Sequence, residues 1–402
     1  MTRRVVITGA GTVNPLAADL SGTFAAMAAG RVAIGPMDFA DIDRLSIRIG
    51  AQVKGWQPET RFARQELVLF DRAVQFAVDS GRQAVAQSGL SLTEGDSLRA
   101  GVVMGTGGGG YTTIDDSYRA VHAEGKNRVH PFTIPRLMHN AAAAHLAMRH
   151  GLRGPSFTVA TACASSNHAM GLAFQMVRAG ACDVMLTGGS EATLCFGGIK
   201  AWEGLRVLSP DGCRPFCASR NGMVQGEGAA VFVFEERERA LRRGAPILAE
   251  VAGFAMTSDA ADIVMPDPDG AARAMWGALA DAGLPVDAVG YINAHGTATA
   301  ANDRSEAAAI RRVFGAAAPP VSSTKAMHGH LLGAAGAVEL LACLLALGGE
   351  GVIAPTMGWQ EADPDCPLDV VPNEARRVRV EAALSNAFAF GGMNACLALI
   401  RG

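Results

Sequence analysis

The sequence lacks a strong charge of either sign and lacks any long apolar run. Its 35 basic residues nearly balance its 38 acidic residues, which leaves a formal net charge of −3. Without a basic stripe, the chain offers no electrostatic surface for nucleic acid. The longest apolar run, from Leu340 to Gly349, is shorter than the roughly 20 residues that cross a bilayer. We therefore expect neither a nucleic-acid partner nor an integral membrane segment.

The cysteine pattern of a disulfide scaffold is also missing. The 8 cysteines of this 402-residue chain lack the dense spacing of small secreted domains. Cys213 and Cys217 enclose Arg-Pro-Phe, but no second pair and no nearby histidine supports a metal site. The apolar stretch that starts at Val5 ends at Thr8-Gly9, too short for a secretion signal, and we interpret it as a strand. The sequence thus predicts a cytoplasmic protein with reduced thiols and no bound metal.

What the sequence does contain is a regular alternation of short strands and helices. Glycine is abundant, at 48 residues, and β-branched runs end in glycine-rich turns. The predicted strands of the first part are Val5–Gly9, Gly101–Gly105, Phe157–Thr161 and Val184–Gly188. Ala-rich stretches between them, such as Asp71–Ser88 and Asn167–Ala179, predict helices. Such alternation is typical of an α/β protein with a mainly parallel sheet covered by helices.

The same rhythm starts again after residue 244. The charged segment Glu235–Gly244 predicts a solvent-exposed helix that ends at its glycine, and a new strand starts at Ile247. The later predicted elements are strands at Val289–Asn293, Val321–Thr324 and Cys396–Ile400 and a helix at Gly336–Leu347. Two parts with one rhythm indicate a duplicated α/β unit, divided into residues 1–244 and residues 245–402.

Cys163 lies where a predicted strand becomes a helix. A β-rich run leads into small residues around Cys163, and a helical pattern with Met170, Phe174 and Val177 on its apolar face follows. The first N–H groups of a helix are unpaired and carry a positive partial charge, which favours a thiolate and can hold an oxyanion. A nucleophilic cysteine is one interpretation, and a buried structural cysteine is the other.

Two further loops carry histidines at the ends of predicted strands. His295 follows one strand, and Lys325, His328 and His330 follow the next. Parallel strands place ligand sites at their carboxyl ends. Lys325 can pair with Glu339 in the following helix, whereas we interpret His328 as structural. His-x-His can bind metal, but no carboxylate or cysteine stands at ligand spacing. A reactive cysteine with two loop histidines fits thiol acyl chemistry and, equally, cysteine hydrolysis.

Four longer motifs narrow this choice. They are Thr161-Ala-Cys-Ala-Ser, Asn293-Ala-His-Gly-Thr-Ala-Thr, Ser323-Thr-Lys-Ala-Met-His-Gly-His-Leu-Leu-Gly-Ala-Ala-Gly-Ala-Val-Glu and Ser385-Asn-Ala-Phe-Ala-Phe-Gly-Gly-Met-Asn. In this order and spacing they resemble the β-ketoacyl-carrier-protein synthase family, type II branch, over essentially the whole chain. Finer details resemble the nodulation ketosynthases, which help make the acyl chains of lipo-oligosaccharide signals. These details are Lys200-Ala-Trp-Glu-Gly-Leu-Arg-Val-Leu, Asp262-Ile-Val-Met-Pro and Ala301-Asn-Asp.

The resemblance implies the thiolase fold, with two α/β halves in a five-layer α-β-α-β-α arrangement. It implies that Cys163 takes an acyl group from acyl-carrier protein and that malonyl-carrier protein then enters. His295 and His330 would stabilise the enolate as CO2 leaves, and the carbanion would attack the Cys163 thioester. By the same resemblance, Lys325 and Glu339 organise the site.

The resemblance also implies the substrate contacts. The backbone N–H groups of Cys163 and Phe390 would form the oxyanion hole, and Phe390 would be the gate between the two substrates. Thr297 and Thr299 would bond the pantetheine arm, and Phe388 would contact substrate. The family implies a homodimer and needs no metal or prosthetic group.

Two positions depart from the family pattern. Gly108 stands where housekeeping members often carry a bulky apolar residue, and Trp202 stands where many have Phe. We expect a reshaped and longer acyl tunnel, so the substitution Gly108→Ile should shorten the accepted acyl chain.

Three alternative functions share parts of this pattern. A thiolase carries a second catalytic cysteine near its C-terminus, and Cys396 lies instead in a strand-like apolar run. A chain-length partner subunit loses its nucleophile, whereas Cys163, His295 and His330 are all present. A hydrolase stays open, because only product analysis separates free acid from a β-ketoacyl product.

Overall fold

The computed structural model describes residues 3–349 and 351–402. Within these residues, ten strands form one continuous sheet. The strands are β1 (Val5–Val13), β2 (Ala100–Gly105), β3 (Ser156–Val159), β4 (Val184–Glu191), β5 (Gly228–Glu236), β6 (Ala249–Ser258), β7 (Val289–Asn293), β8 (Val321–Ser322), β9 (Ala382–Ala389) and β10 (Met393–Ile400). Two-residue strands pair outside this sheet, Gly35–Pro36 with Ile49–Gly50 and Val352–Ile353 with Arg376–Arg377.

Helices of eight residues or more connect and cover these strands. Among residues 3–349 and 351–402 they are α1 (Leu20–Ala28), α2 (Arg72–Ser88), α3 (Tyr111–Tyr118), α4 (Ala141–His150), α5 (Ser165–Arg178), α6 (Phe196–Leu205), α7 (Pro268–Ala282), α8 (Ala300–Phe314) and α9 (Ala335–Leu347). Shorter helices occupy Arg64–Leu67, Glu94–Ser97, Thr133–Leu137, Arg237–Arg242 and Lys325–His328.

The two halves of the sheet have the same topology. The first five strands are arranged β3-β2-β4-β5-β1, and the second five are arranged β8-β7-β9-β10-β6. In each half the first three strands of that order run parallel, and the remaining two pair antiparallel. The duplication suggested by the rhythm of the sequence is therefore present in strand order and direction. The division at residue 244 stays a proposal, supported by the five strands on each side.

Helices complete five layers around the two half-sheets. Helices α2 and α4 contact strands of the first half, and α7 and α8 pack together against the second half. Between the half-sheets lie α5 and α9, which contact strands of both halves and each other. The half-sheets join where β1 pairs with β6 through Val5, Val6 and Ile7. This is the thiolase-like arrangement of alternating α and β layers that the sequence predicts.

The long apolar run of the sequence is the central helix α9. Of its 13 residues, 12 are buried, as expected for a helix that is apolar on every side. In the described part of the chain, no helix is both long and apolar enough to cross a membrane. The run thus supplies the middle layer of the fold.

The charged segment near residue 240 differs from its prediction. The helix there covers only Arg237–Arg242, because Glu235 and Glu236 are the last residues of β5. Glu235 is fully buried and forms ion pairs with Arg239 and Arg243 of the following turns. Long-range pairing of β5 therefore outweighs the helical preference of this charged run. The strand predicted from Ile247 starts two residues later, at β6.

Candidate active site

Cys163 lies at a tight turn between β3 and α5. A 3-10 turn at Ala162–Ala164 leads directly into the helix, as the sequence predicts. Ala162 adopts a φ of +48°, a conformation that costs an alanine about 1 kcal/mol. The Cys163 side chain is buried and lines a cavity, with the start of α5 behind it. The turn therefore holds the thiol at a helix N-terminus and at the edge of an enclosed space.

Burial controls the charge of this thiol. It raises the pKa of Cys163 to about 12, and the nearby Lys325 charge only partly opposes the rise. Burial therefore opposes the helix end, which by itself favours a thiolate, because removal from water disfavours the charged form. Deprotonation of the thiol has to accompany its attack on a thioester.

His295 follows β7 in a loop held by a buried carboxylate. The backbone N–H groups of His295 and Gly296 donate hydrogen bonds of 2.8 and 2.7 Å to the two carboxylate oxygens of Glu306. Burial lowers the pKa of the His295 ring well below its ordinary value, and the Lys325 charge lowers it further. The imidazole is therefore neutral and able to donate an N–H bond.

Lys325 sets the tautomer of that imidazole. Its ammonium is fully buried, forms an ion pair with Glu339, and lies 2.5 Å from the carbonyl oxygen of His295. The same nitrogen lies 3.3 Å from Nδ1 of His295. Because an ammonium only donates, Nδ1 accepts and the ring proton resides on Nε2. These contacts support the organising role of Lys325 and Glu339, which stays a prediction.

His330 faces His295 across the cavity. The two ring centroids are 5.3 Å apart and the rings meet edge to face at 84°. The backbone of His330 is fixed by hydrogen bonds with Val224 and Gly226. Neither ring nitrogen of His330 has a partner among the described residues. Burial lowers the pKa of His330 well below its ordinary value, so a second neutral imidazole is free to bond a substrate.

His328 is placed differently from the two cavity histidines. Its Nδ1 lies 2.8 Å from the Gly329 carbonyl oxygen, and its Nε2 lies 2.9 Å from the Thr324 hydroxyl. Burial lowers the pKa of His328 to about 3. With both nitrogens engaged inside the loop, His328 has the structural role that we expected.

The cavity brings most of the predicted site residues together. Cys163, His295 and His330 line its inner part. The other predicted residues in its wall are Thr297, Thr299, Trp202, Phe388 and Phe390. The hydroxyl oxygens of Thr297 and Thr299 are 2.9 Å apart. The wall of the cavity therefore contains both hydroxyl groups and aromatic rings.

Trp202 and Phe390 form the aromatic face. Their ring centroids are 5.9 Å apart with an interplanar angle of 26°, so the rings stack. Trp202 comes from α6, and Phe390 lies in the turn between β9 and β10. The next two residues, Gly391 and Gly392, have φ angles of +83° and +66°. Such positive values suit glycine and give the turn its sharp bend.

Gly108 does not line this cavity. A Cβ atom at Gly108 would lie 3.2 to 3.3 Å from atoms of Glu191, Tyr111 and Thr193. The backbone N–H of Gly108 instead donates to Glu191. A role of Gly108 in acyl-chain length stays a prediction.

Sequence reasoning missed two buried carboxylates. Glu306 holds the His295 loop, and Glu191 accepts hydrogen bonds from Gly107, Gly108 and Gly333. Burial raises the pKa of each carboxylic acid to about 7. No local pattern separates these residues from surface glutamates, because their partners are backbone groups brought together only by folding.

The fold and this cavity define a thiolase-like enzyme of acyl thioesters, with one buried thiol and two neutral imidazoles at strand ends. Residues 2–240 match the family Beta-ketoacyl synthase, N-terminal domain, and residues 248–360 match Beta-ketoacyl synthase, C-terminal domain. The chain belongs to the β-ketoacyl synthase family and is therefore an acyltransferase.

Similar proteins agree with this family. Nodulation protein E of Rhizobium sp. (strain N33) is 49% identical over 400 residues, which cover 99% of each chain. The 3-oxoacyl-[acyl-carrier-protein] synthase 2 of Coxiella burnetii is 40% identical, again over 99% of each chain. A solved β-ketoacyl synthase from Burkholderia phymatum STM815 superposes with a TM-score of 0.92 at 34% identity over the full length of both chains. The ishigamide ketosynthase/chain length factor reaches a TM-score of 0.95 at 36% identity, also over both full lengths.

Proposed function

We propose that the protein condenses an acyl group held on Cys163 with a malonyl group held on acyl-carrier protein. The single observation that carries this proposal is the shared cavity of one buried thiol and two neutral imidazoles. The similarity to a 3-oxoacyl-[acyl-carrier-protein] synthase supports the carrier protein as the source of both substrates.

The first half-reaction loads Cys163. Its thiol attacks the carbonyl carbon of an acyl thioester, and the thiol proton leaves with the pantetheine sulfur of the carrier protein. Because burial raises the Cys163 pKa to about 12, the proton moves as the sulfur attacks. The backbone N–H groups of Cys163 and Phe390 are proposed to hold the oxyanion. Thr297 and Thr299 are proposed to bond the pantetheine arm.

The second half-reaction uses the histidines. Malonyl-carrier protein loses CO2, and the enolate oxygen that forms accepts hydrogen bonds from Nε2–H of His295 and from His330. Donors fixed in a dry cavity stabilise such a charge more than water does. The carbanion then attacks the Cys163 thioester and expels the sulfur, which takes up one proton. The products are a β-ketoacyl thioester two carbons longer, CO2 and free Cys163.

Mass spectrometry of carrier-protein products tests this proposal. Purified protein is mixed with acyl- and malonyl-carrier proteins, in wild-type, Cys163→Ala and Cys366→Ala forms. We expect a β-ketoacyl product from the wild type and from Cys366→Ala, whose cysteine is equally buried but lies outside the cavity. Cys163→Ala should give none. Free acid in place of a ketoacyl product would identify a hydrolase, and the absence of any acyl adduct on Cys163 would refute the proposal.

We also propose that the acyl chain belongs to a nodulation signal and that the enzyme works in the cytoplasm. The 49% identity with Nodulation protein E supports the first point. Eight cysteines without a disulfide in the described chain support a reducing compartment. Deletion of the gene, followed by lipid profiling of the signal molecules, tests the pathway, since unchanged acyl chains would contradict it.

A homodimer is the proposed assembly. Strand β3 is at the edge of the sheet, where its outer backbone groups have no strand partner among residues 3–349 and 351–402. Around it, α4, the short helix Thr133–Leu137 and α3 contact one another in series. Their exposed apolar side chains are Tyr118, Phe132, Ile134, Met148 and, on β3, Phe157.

Light scattering tests the homodimer and should give twice the mass of the 41.5-kDa chain. The variant Phe157→Arg should weaken the dimer. A monomeric wild type would contradict this proposal.

A further inference from the structure

Glu191 is a buried carboxylate to which the proposed reaction assigns no role. It is the last residue of β4 and is 0% exposed. In the described part of the chain it has no salt bridge. Four uncharged donors surround it instead. Its Oε1 accepts from the Thr106 hydroxyl and the Gly108 N–H, and its Oε2 accepts from the N–H groups of Gly107 and Gly333.

These donors come from both halves of the molecule. Thr106, Gly107 and Gly108 lie in the glycine-rich turn after β2, in the first half. Gly333 lies in the second half, three residues after His330. The bonds to Oε2 are 2.7 Å from Gly107 and 2.9 Å from Gly333. One carboxylate oxygen therefore ties the His330 loop to the first half.

The two backbones approach so closely at Glu191 that only glycine fits. A Cβ atom at Gly333 would lie 2.2 Å from the nitrogen of Gly107 and 2.7 Å from Oε2 of Glu191. A Cβ atom at Gly107 would lie 3.0 Å from the same oxygen. The contacts at Gly333 leave no room for a side chain there, so the two loops meet backbone to backbone beside the carboxylate that bonds both.

The contact between Gly107, Glu191 and Gly333 lies beside the turn that carries Cys163. A Cβ atom at Gly107 would be 3.8 Å from the carbonyl oxygen of Ala162, the residue before Cys163. The Ser165 hydroxyl donates to the Thr106 carbonyl oxygen, which joins the start of α5 to the glycine-rich turn. The negative charge of Glu191 also contributes to the raised pKa of Cys163. Glu191 therefore touches the supports of both Cys163 and His330.

We propose that Glu191 is a positioning residue that fixes the His330 loop relative to Cys163. The inference rests on the proposed function, because the position of His330 matters only where it stabilises the enolate formed from the malonyl group. It goes beyond that function by assigning a role to a residue that touches no substrate. A shift of about 1 Å at a reacting group can lower a rate about 100-fold.

The variant Glu191→Gln tests the proposal without changing the shape of the side chain. In glutamine, one oxygen still accepts hydrogen bonds. The NH2 group takes the place of the other oxygen and faces two N–H or hydroxyl donors, with which it cannot pair as an acceptor. One pair of the four hydrogen bonds is therefore lost. Because burial raises the pKa of Glu191 to about 7, the uncharged carboxyl is already populated near neutral pH. The uncharged variant is therefore expected to fold.

Two half-reactions are measured on wild type and variant. The first is acylation of Cys163 by acyl-carrier protein, followed by intact mass. The second is CO2 release from malonyl-carrier protein, which depends on His295 and His330. We expect CO2 release to fall about 10- to 100-fold and acylation to fall clearly less, with the thermal unfolding midpoint recorded as a check of folding.

The ratio of the two half-reaction rates separates a positioning role of Glu191 from a purely structural one. Equal reductions of both half-reactions, or no reduction of either, would overturn the positioning role and leave Glu191 as a structural residue only. Thr106→Val, which removes one donor to Oε1 and leaves the Gly333 bond, is the matched control and should leave the ratio of the two half-reactions unchanged. A selective loss of CO2 release in this control would contradict the role of the Gly333 bond. If the wild type itself neither acylates nor decarboxylates, the proposed function fails, and this result is distinct from failure of the Glu191 proposal.

Discussion

The contributions of the Lys325–Glu339 ion pair to protein stability and to catalysis can be measured separately. Both side chains are fully buried, so neither charge is screened by solvent. Removing one partner of such a pair leaves an uncompensated charge and costs about 3–5 kcal/mol. We therefore expect Lys325→Met to lower the free energy of unfolding by about 3–5 kcal/mol at pH 8.

The loss should depend on pH. Burial raises the pKa of Glu339, and Lys325 is the group that lowers it. In Lys325→Met the folded-state pKa rises further above the value in the unfolded chain. A carboxyl with a raised folded pKa binds its proton more tightly when folded, so its stability penalty grows as pH rises above the unfolded value. The deficit relative to wild type should therefore be smaller at pH 5 than at pH 8.

A second substitution completes the design. In Lys325→Met with Glu339→Leu, no buried charge is left, and most of the lost stability should return. Activity should not return, because no ammonium then holds Nδ1 of His295 as an acceptor. We expect condensation to stay about 100-fold or more below wild type, within the range of a positioned acid–base group.

Denaturant unfolding at pH 5 and pH 8, together with product formation, measures these effects. An equal deficit at both pH values would refute the assignment to Glu339 ionisation. A double variant as unstable as Lys325→Met would refute the buried-charge explanation. An active double variant would show that the His295 tautomer does not depend on Lys325.

Two other predictions follow from the cavity, and a third concerns Gly108, which does not line it. Trp202→Ala removes a ring stack with Phe390 that is worth about 0.5–1.5 kcal/mol. If movement of Phe390 limits acylation of Cys163 by long acyl donors, this acylation should accelerate roughly 2- to 10-fold. An unchanged acylation rate in quench-flow measurements would contradict this role of the stack. Gly108→Ile should shift product chain lengths downward in mass spectra, and an unchanged profile would count against the predicted tunnel. Alkylation of Cys163 should keep rising between pH 8 and pH 10, because burial raises its pKa to about 12; a plateau near pH 8.5 would mean an unperturbed thiol.

The parts of the site that the sequence predicts are those with local signals. Cys163 and His295 each follow a β-rich run and precede a turn, so their place after a strand can be inferred from neighbouring residues. His330 is separated from β8 by the short helix Lys325–His328, which the sequence pattern does not predict. The convergence of these residues in one cavity depends on how the two halves fold together, and it was predicted only from the resemblance of the motifs to a known family.

The parts that the sequence does not predict depend on distant contacts. Glu191 is 85 positions from the Thr106 hydroxyl that bonds it, and no local spacing reveals such a pair. The sequence shows the helix end that favours a thiolate at Cys163, but it does not show the depth of burial that raises the pKa of this thiol. Likewise, Glu235 belongs to a strand because β5 pairs there with β1 and β4, at Val6 and Val184, which are distant in sequence.

The central place of β1 has a consequence for synthesis of the chain. Its two sheet neighbours, β5 and β6, are translated more than 200 residues later. At about 5–20 residues per second, the first strand leaves the ribosome roughly 10–50 s before it can pair. All nine of its residues are buried in the finished protein, so this apolar segment waits unpaired during most of translation. The nascent chain therefore presents an early apolar binding segment for a ribosome-associated chaperone.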